Sequence, residues 1–66
     1  KKPATGKEGL VGEEGIVIED LKPMGVIEVH GEIWKAIAEK RIKKGQTVQV
    51  EEVDSKHLRL KVKSIK

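Results

Sequence analysis

Ser55 and His57 stand two residues apart and form the one close pairing of a hydroxyl nucleophile with a base in this sequence. A catalytic hydroxyl needs an activating base within hydrogen-bond reach, and usually a third group that orients the base. The other hydroxyls, on Thr5, Thr47 and Ser64, have no neighbouring histidine in the sequence. A serine beside a histidine is also common in hairpin turns, and we interpret the pair in that way. No catalytic residue is predicted.

Four residues form the set worth testing as metal ligands: Glu28, His30, Glu32 and His57. A protein metal site needs three or four converging ligands. Glu28 and His30 would point the same way from one strand, but the solvated face of any strand has the same pattern. We therefore predict neither a metal site nor a cofactor.

The 66 residues make one domain at most, and the absence of Cys leaves hydrophobic packing alone to hold it together. Residues 1–9 mix Pro, Gly and charge without apolar periodicity, so they are predicted to be a flexible lead-in from a longer chain. The domain itself is predicted over residues 10–66. Asn is absent and 38% of residues are charged, a composition typical of proteins that work at high temperature.

Turn signals divide residues 10–66 into short segments. The unbroken apolar run 16–18 predicts a first strand that is buried on both faces. Pro23 and Gly25 predict a hairpin turn in which Gly25 takes the left-handed conformation, and Gly31 predicts a second tight turn. Two later strands are predicted from alternating patterns. Val48 and Val50 alternate with Gln and Glu, and the apolar residues of 58–63 alternate with basic ones.

The third segment, EIWKAIAEKRIKK, is ambiguous. Ile33, Trp34 and Ile37 match helical spacing, and Ala, Glu and Lys favour helices. Gly31 offers no side-chain cap, however, and the segments on both sides are strands with short connections. We predict a third strand, followed by a basic loop.

Five strands without room for a long helix indicate an all-β protein, a small five-stranded antiparallel OB-fold-like barrel. The side chains predicted to form its core are Ile16, Ile18, Leu21, Ile27, Val29, Trp34, Ala36, Val48, Val50, Leu58, Leu60 and Val62.

The order of four motifs, TGKEGLVG, EDLKPMG, VHGEIWKA and KKGQTVQVEEV, resembles the C-terminal soluble domain of the NfeD (nodulation formation efficiency) family over nearly the whole chain. The resemblance implies an OB-type barrel attached to membrane-spanning segments outside this chain, on the cytoplasmic side. It also implies a stomatin-like membrane protein as partner. Some members have a serine protease domain upstream, which this chain lacks. The segment IAEKRI is more helix-prone than the polar loop expected there.

The net charge of +3 hides an asymmetry, because residues 1–34 have a net charge of −3 and residues 35–66 a net charge of +6. Solvated lysines on strand faces explain such an excess, and so does a surface for an anionic partner. OB-folds often bind single-stranded nucleic acid, but they stack bases on aromatic side chains, and Trp34 is the only aromatic residue here. We expect no tight binding of nucleic acid.

The residues and the resemblance together predict a non-catalytic protein-interaction domain that works with a stomatin-like membrane protein. A single-stranded nucleic-acid-binding OB module is the alternative, and an anionic lipid surface is a further candidate partner. The residues predicted to bind the partner are Lys40, Arg41, Lys43, Lys44, Arg59, Lys61 and Lys63.

Overall fold

The computed structural model describes residues 9–65. It contains five strands: Glu14–Glu19 (β1), Met24–Val29 (β2), Glu32–Ile37 (β3), Thr47–Asp54 (β4) and Arg59–Ser64 (β5). They close into a barrel in the order β1-β2-β3-β5-β4, which confirms the predicted all-β, five-stranded barrel. Four pairings are antiparallel, and the β3–β5 pairing that closes the barrel is parallel. The predicted lead-in lies outside the described residues except for Gly9.

The ambiguous third segment is a strand, as predicted, and not a helix. β3 pairs with β2 at six positions, from Met24 with Ile37 to Val29 with Glu32. A two-residue turn joins them, in which His30 and Gly31 have φ angles of 51° and 82°. Both angles are positive, as a type I′ hairpin turn requires, so the turn itself favours the strand pairing.

The core consists of twelve buried apolar side chains, with Trp34 and Val53 packed against it: Leu10, Val17, Leu21, Ile27, Val29, Ala36, Ala38, Ile42, Val48, Val50, Leu60 and Val62. Most of them come from alternate positions of the strands, as the period-2 pattern predicts. Leu10, Val17, Ala38 and Ile42 were not predicted.

Burial of β1 on both faces was a wrong prediction. Val17 is buried, Ile18 is half-buried and Ile16 is 44% exposed. Gly15 fixes this orientation, because a Cβ at that position would lie 2.6 Å from the carbonyl oxygen of Glu28. Gly15 and Val17 therefore face inward, and Ile16 must face solvent.

Leu58 and Gly25 also differ from their predictions. Leu58 is 60% exposed, because it ends the turn that precedes β5 and has a φ of 55° there. The alternating pattern therefore begins at a turn residue, before β5 itself begins at Arg59. Gly25 lies within β2, opposite Ala36, and does not adopt the left-handed conformation. The connection before it passes through a cis peptide bond between Lys22 and Pro23.

Candidate functional site

The parallel pairing that closes the barrel is short. β3 meets β5 at two positions, Ala36 with Leu60 and Ile37 with Lys61. Beyond Ile37 the chain turns away from β5, and the amide of Ala38 donates to the carbonyl of Pro23 at 3.0 Å. β5 continues past this point, so the barrel has an open seam between β5 and the segment that follows β3.

Residues 38–42 form the other side of this seam. The segment is held away from β5 by Ile42 and Leu21, whose backbones exchange two hydrogen bonds of 2.8 and 3.0 Å. The side chain of Ile42 is buried in the core. The helix-prone segment therefore forms a loop that is fixed to the barrel. Its apolar side chains, Ala38 and Ile42, are part of the core, and its charged side chains are exposed.

A groove of about 660 Å³ follows the seam, and we call it the seam groove. Its apolar floor includes the buried side chains of Ala38, Ile42 and Val62. Six charged side chains line it, four basic and two acidic: Lys40, Arg41, Lys61, Lys63, Glu39 and Glu51. The seam groove thus combines an apolar floor with a net positive rim.

A neighbouring groove of about 810 Å³, the turn groove, lies between the β4–β5 turn and Pro23. Its charged lining is balanced, with three acidic and three basic side chains: Glu39, Glu52, Asp54, Lys56, Arg59 and Lys61. A surface with equal numbers of both charges has less electrostatic preference for an anionic partner than the seam groove has.

The structure divides the predicted basic surface. Four of its residues line the seam groove: Lys40, Arg41, Lys61 and Lys63. Arg59 lines the turn groove, where Lys61 also takes part. Lys43 and Lys44 line neither groove, and the backbone amide of Lys44 donates to the Asp20 carboxylate at 2.8 Å.

The basic residues also differ in their partners within the chain. The Arg59 side chain donates to Asp54 Oδ2 at 3.2 Å and lies 3.6 Å from the sulfur of Met24. The basic side chains of the seam groove, Lys40, Arg41, Lys61 and Lys63, make no ion pair or hydrogen bond with any residue of the described part of the chain. Arg59 is therefore structural, whereas the other four are available to a ligand.

Asp54 organises the turn before β5. Its carboxylate accepts the backbone amide of His57 at 3.1 Å, lies 2.9 Å from Nδ1 of the same residue and accepts Arg59 Nε. The hydrogen bond from the backbone amide of His57 is the main cause that lowers the pKa of Asp54, and the hydrogen bond with the His57 imidazole is the second. His57 thus faces Asp54, which fits the interpretation of the Ser55–His57 pair as turn chemistry.

The lowered pKa of Asp54 predicts that acid weakens the fold. A carboxyl group whose folded pKa is below its unfolded value stabilises the protein fully above the unfolded value, and this contribution is lost as the pH falls through the folded value. The free energy of unfolding should therefore decline below about pH 4. The decline should be shallower in Asp54→Asn, as measured by urea unfolding across this pH range. Equal slopes would contradict the role of Asp54.

The four candidate metal ligands are not brought together. His30 Nε2 lies 2.9 Å from Glu13 Oε1 at the tip of the β2–β3 hairpin, while His57 faces Asp54. No group of three His, Cys, Asp or Glu side chains suited to a metal ion exists within residues 9–65.

Trp34 packs against the core, and its indole nitrogen is buried without a hydrogen-bond partner in the described structure. A ring held in this way serves mainly to fill the core, as expected for the single large aromatic of a small barrel.

The helical structure within residues 9–65 has neither the length nor the hydropathy of a membrane span.

Comparison with known proteins gives one curated relative and several solved structures. Membrane-bound protease PH1510 of Pyrococcus horikoshii is 46% identical over 56 residues, which cover 82% of this chain and 13% of the relative. Its thermophilic source fits the composition. The solved C-terminal domain of stomatin operon partner protein 1510-C from the same organism is 42% identical, with a TM-score of 0.84, over 96% of this chain and 98% of that one.

A more distant structure shares the fold. It is the soluble domain of a Corynebacterium glutamicum membrane protein implicated in regulation of membrane protease activity, 24% identical with a TM-score of 0.79. The match covers 86% of this chain and 94% of that one. The family model for the NfeD-like C-terminal, partner-binding domain matches residues 7–63. The chain therefore belongs to the NfeD family, as an example of its partner-binding C-terminal domain.

Proposed function

We propose that this domain is the non-catalytic interaction module of a membrane-anchored NfeD-type protein, and that it binds a stomatin-like membrane protein on the cytoplasmic side. The observation that carries the proposal is the group of basic side chains along the seam groove that have no partner within the described chain. The name of the solved relative, a stomatin operon partner protein, supports the class of partner.

The basic surface predicted from the sequence comprises Lys40, Arg41, Lys43, Lys44, Arg59, Lys61 and Lys63. The part of it proposed to bind the partner is the four residues that line the seam groove: Lys40, Arg41, Lys61 and Lys63. A surface of one charge gains most from a complementary acidic patch, mainly through faster association. Lys61 and Lys63 are the members of this set that come from β5, and Lys61 lines both grooves.

Reversing the charge of these two β5 lysines tests the proposal. The variant Lys61→Glu/Lys63→Glu is expected to bind the soluble part of a stomatin-like protein at least about tenfold more weakly, because attraction becomes repulsion. Binding of the wild-type domain should also weaken steeply with salt. Calorimetric titration at low and high salt measures both effects.

The matched control is Lys22→Glu/Lys35→Glu, which changes the net charge equally at exposed lysines outside both grooves. This variant should retain most of the affinity. An equal loss in both variants would contradict the basic surface, and no binding by the wild-type domain or its membrane-anchored parent would contradict the partner.

Anionic lipid is the other use of such a surface, worth about 1 kcal/mol per basic residue near the membrane. Binding of the domain to phosphatidylserine vesicles but not to the stomatin-like protein would favour lipid. The packing of Trp34 against the core weighs against the nucleic-acid alternative, because single-strand binders present aromatic faces to the bases.

A further inference from the structure

We propose that one end of the barrel contacts an anionic lipid surface when the parent chain is anchored in the membrane. The contact is made by four exposed side chains, Ile16, Lys43, Lys44 and Ile65, which we call the tip surface. The proposal rests on the proposed function for the membrane anchor. It gives a role to Lys43 and Lys44, the predicted basic residues that line neither groove.

The backbone holds the loop of the tip surface against β1. The amide of Gly45 donates to the carbonyl of Val17 at 2.8 Å, and the amide of Val17 donates to the carbonyl of Gln46 at 2.9 Å. The amide of Gln46 also donates to the carbonyl of Lys43 at 3.2 Å, and Gly45 has a φ of 93°. The loop is therefore a tight turn, whose two exposed lysines have a defined place on the barrel.

Two exposed isoleucines form the apolar part of the tip surface. Ile16 on β1 pairs with Thr47 on β4, and on the other side of Thr47 its carbonyl accepts the amide of Ile65 at 3.5 Å. Directly opposed residues of neighbouring strands point to the same face of a sheet, so the three side chains form one outward row. Ile16 and Ile65 are 44% and 43% exposed. This apolar row lies beside the basic loop, because the loop pairs with the next residue of β1.

The charge of the tip surface favours anionic headgroups. The side chains of Lys43 and Lys44 make no ion pair or hydrogen bond within residues 9–65. Glu19 and Asp20 lie at the same end of the barrel, but the Asp20 carboxylate accepts the backbone amide of Lys44 at 2.8 Å. Lysines near an anionic leaflet are attracted to it, and apolar side chains beside them can enter the headgroup region.

The shape of the tip surface distinguishes it from the seam groove. The seam groove is concave and includes Arg41, whose guanidinium can bind a carboxylate with two parallel hydrogen bonds. The tip surface is built on a turn and its charged residues are lysines, which stay strongly hydrated and act as point charges. Such a surface suits mobile lipid headgroups, which offer no fixed geometry. A domain attached to the same membrane also meets them at a high effective concentration, so a weak contact is sufficient.

The experiment uses the 66-residue chain itself, since a solved relative of nearly the same extent shows that such a domain folds alone. The probe is a phosphatidylserine nanodisc with a few spin-labelled headgroups, and a phosphatidylcholine nanodisc is the neutral control. In low-salt NMR spectra of the ¹⁵N-labelled domain, the amides of residues 43–47 and of Ile65 are expected to lose the most intensity, with the anionic disc alone. No binding, equal binding to both discs, or losses centred on other residues would overturn the proposal.

Two charge-removing variants of one loop give the first matched comparison. Lys43→Gln/Lys44→Gln should weaken binding to the anionic disc by about tenfold or more, and Lys40→Gln/Arg41→Gln by less than about threefold, because only the first pair belongs to the tip surface. Both variants remove two positive charges. Equal losses would mean that the disc senses only the net charge of the domain, which contradicts a contact at the tip surface.

Two isoleucine variants give the second comparison. Ile65→Ser should weaken binding by about threefold or more, because it removes apolar surface from the headgroup region. Ile33 is 63% exposed on β3, and Glu28 separates it from Ile16 on the outer face of the sheet. Ile33→Ser should therefore leave the affinity unchanged. A larger loss in Ile33→Ser than in Ile65→Ser would place the membrane contact on β3 and overturn the proposal.

Titration with the soluble part of a stomatin-like protein separates this proposal from the proposed function. Lys43→Gln/Lys44→Gln should leave the affinity for that protein nearly unchanged, because neither lysine lines the seam groove. If the anionic disc binds at the tip surface and the stomatin-like protein does not bind, the lipid contact stands and the partner class falls. If the stomatin-like protein shifts the amides of the tip surface and the disc does not, this surface is a protein interface and the lipid contact falls.

Discussion

Replacing Leu60 by alanine is expected to lower the free energy of unfolding by about 2–5 kcal/mol. Leu60 is fully buried and lies on β5 where the barrel closes, opposite Ala36 on β3 and Val53 on β4. Truncation removes apolar contacts and leaves a cavity between three strands that cannot collapse independently. Because a small domain has only about 5–15 kcal/mol of stability in total, urea unfolding should show a large fall in the midpoint.

Leu58 provides the matched control, since it is the same residue type two positions earlier on the chain. It is 60% exposed, and alanine retains the Cβ in the left-handed conformation that the turn imposes. Leu58→Ala should therefore change the stability by less than about 0.5 kcal/mol. Similar effects of the two truncations would mean that the register of β5 differs from the one described.

The contrast between these leucines shows how far alternation predicts a fold. The alternation identified β4 and β5 and placed Val48, Val50, Leu60 and Val62 correctly in the core. It could not locate the start of β5, because Asp54 holds the preceding turn through hydrogen bonds that depend on the folded backbone. A leucine in a turn and a leucine in a strand look alike in the sequence.

The prediction that β1 is buried on both faces was wrong for a different reason. A run of three branched residues has no alternation, so it cannot reveal which side faces the core. The side is decided by Gly15, which lies against the backbone of Glu28 on a neighbouring strand. The sequence showed a glycine before the run, but its contact depends on the pairing of β1 with β2.

The basic residues could be predicted as a set, but their grouping could not. Lys40, Arg41, Lys43 and Lys44 are adjacent in sequence, and only the first two line the seam groove. The division follows from Ile42, which turns the loop by bridging to Leu21 and burying its side chain. Ile42 stood within a segment with helical spacing, and its role depends on a contact more than twenty residues away.

A second substitution with a large expected effect is Gly25→Ala, which should lower the free energy of unfolding by about 3 kcal/mol or more. The end of β1 and the residues after it cross over Gly25. A Cβ there would meet the carbonyl oxygen of Asp20, the carbonyl oxygen of Glu19 at 2.5 Å and the Leu21 Cδ2 atom at 2.8 Å. Two of these atoms belong to the backbone, so a change of rotamer cannot relieve the clash, and β1 must move relative to β2.

Gly31→Ala separates this steric effect from the conformational effect of losing a glycine. Gly31 has a φ of 82° and no atom within 4 Å of the added Cβ, whereas Gly25 is crowded and does not adopt the left-handed conformation. Alanine at position 31 should cost about 1–2 kcal/mol, because only the backbone strain changes. Urea unfolding of both variants should therefore rank Gly25→Ala as the more damaging. The reverse order would show that the chain after β1 does not cross over Gly25, and the closure of the barrel at that end would have to be reconsidered.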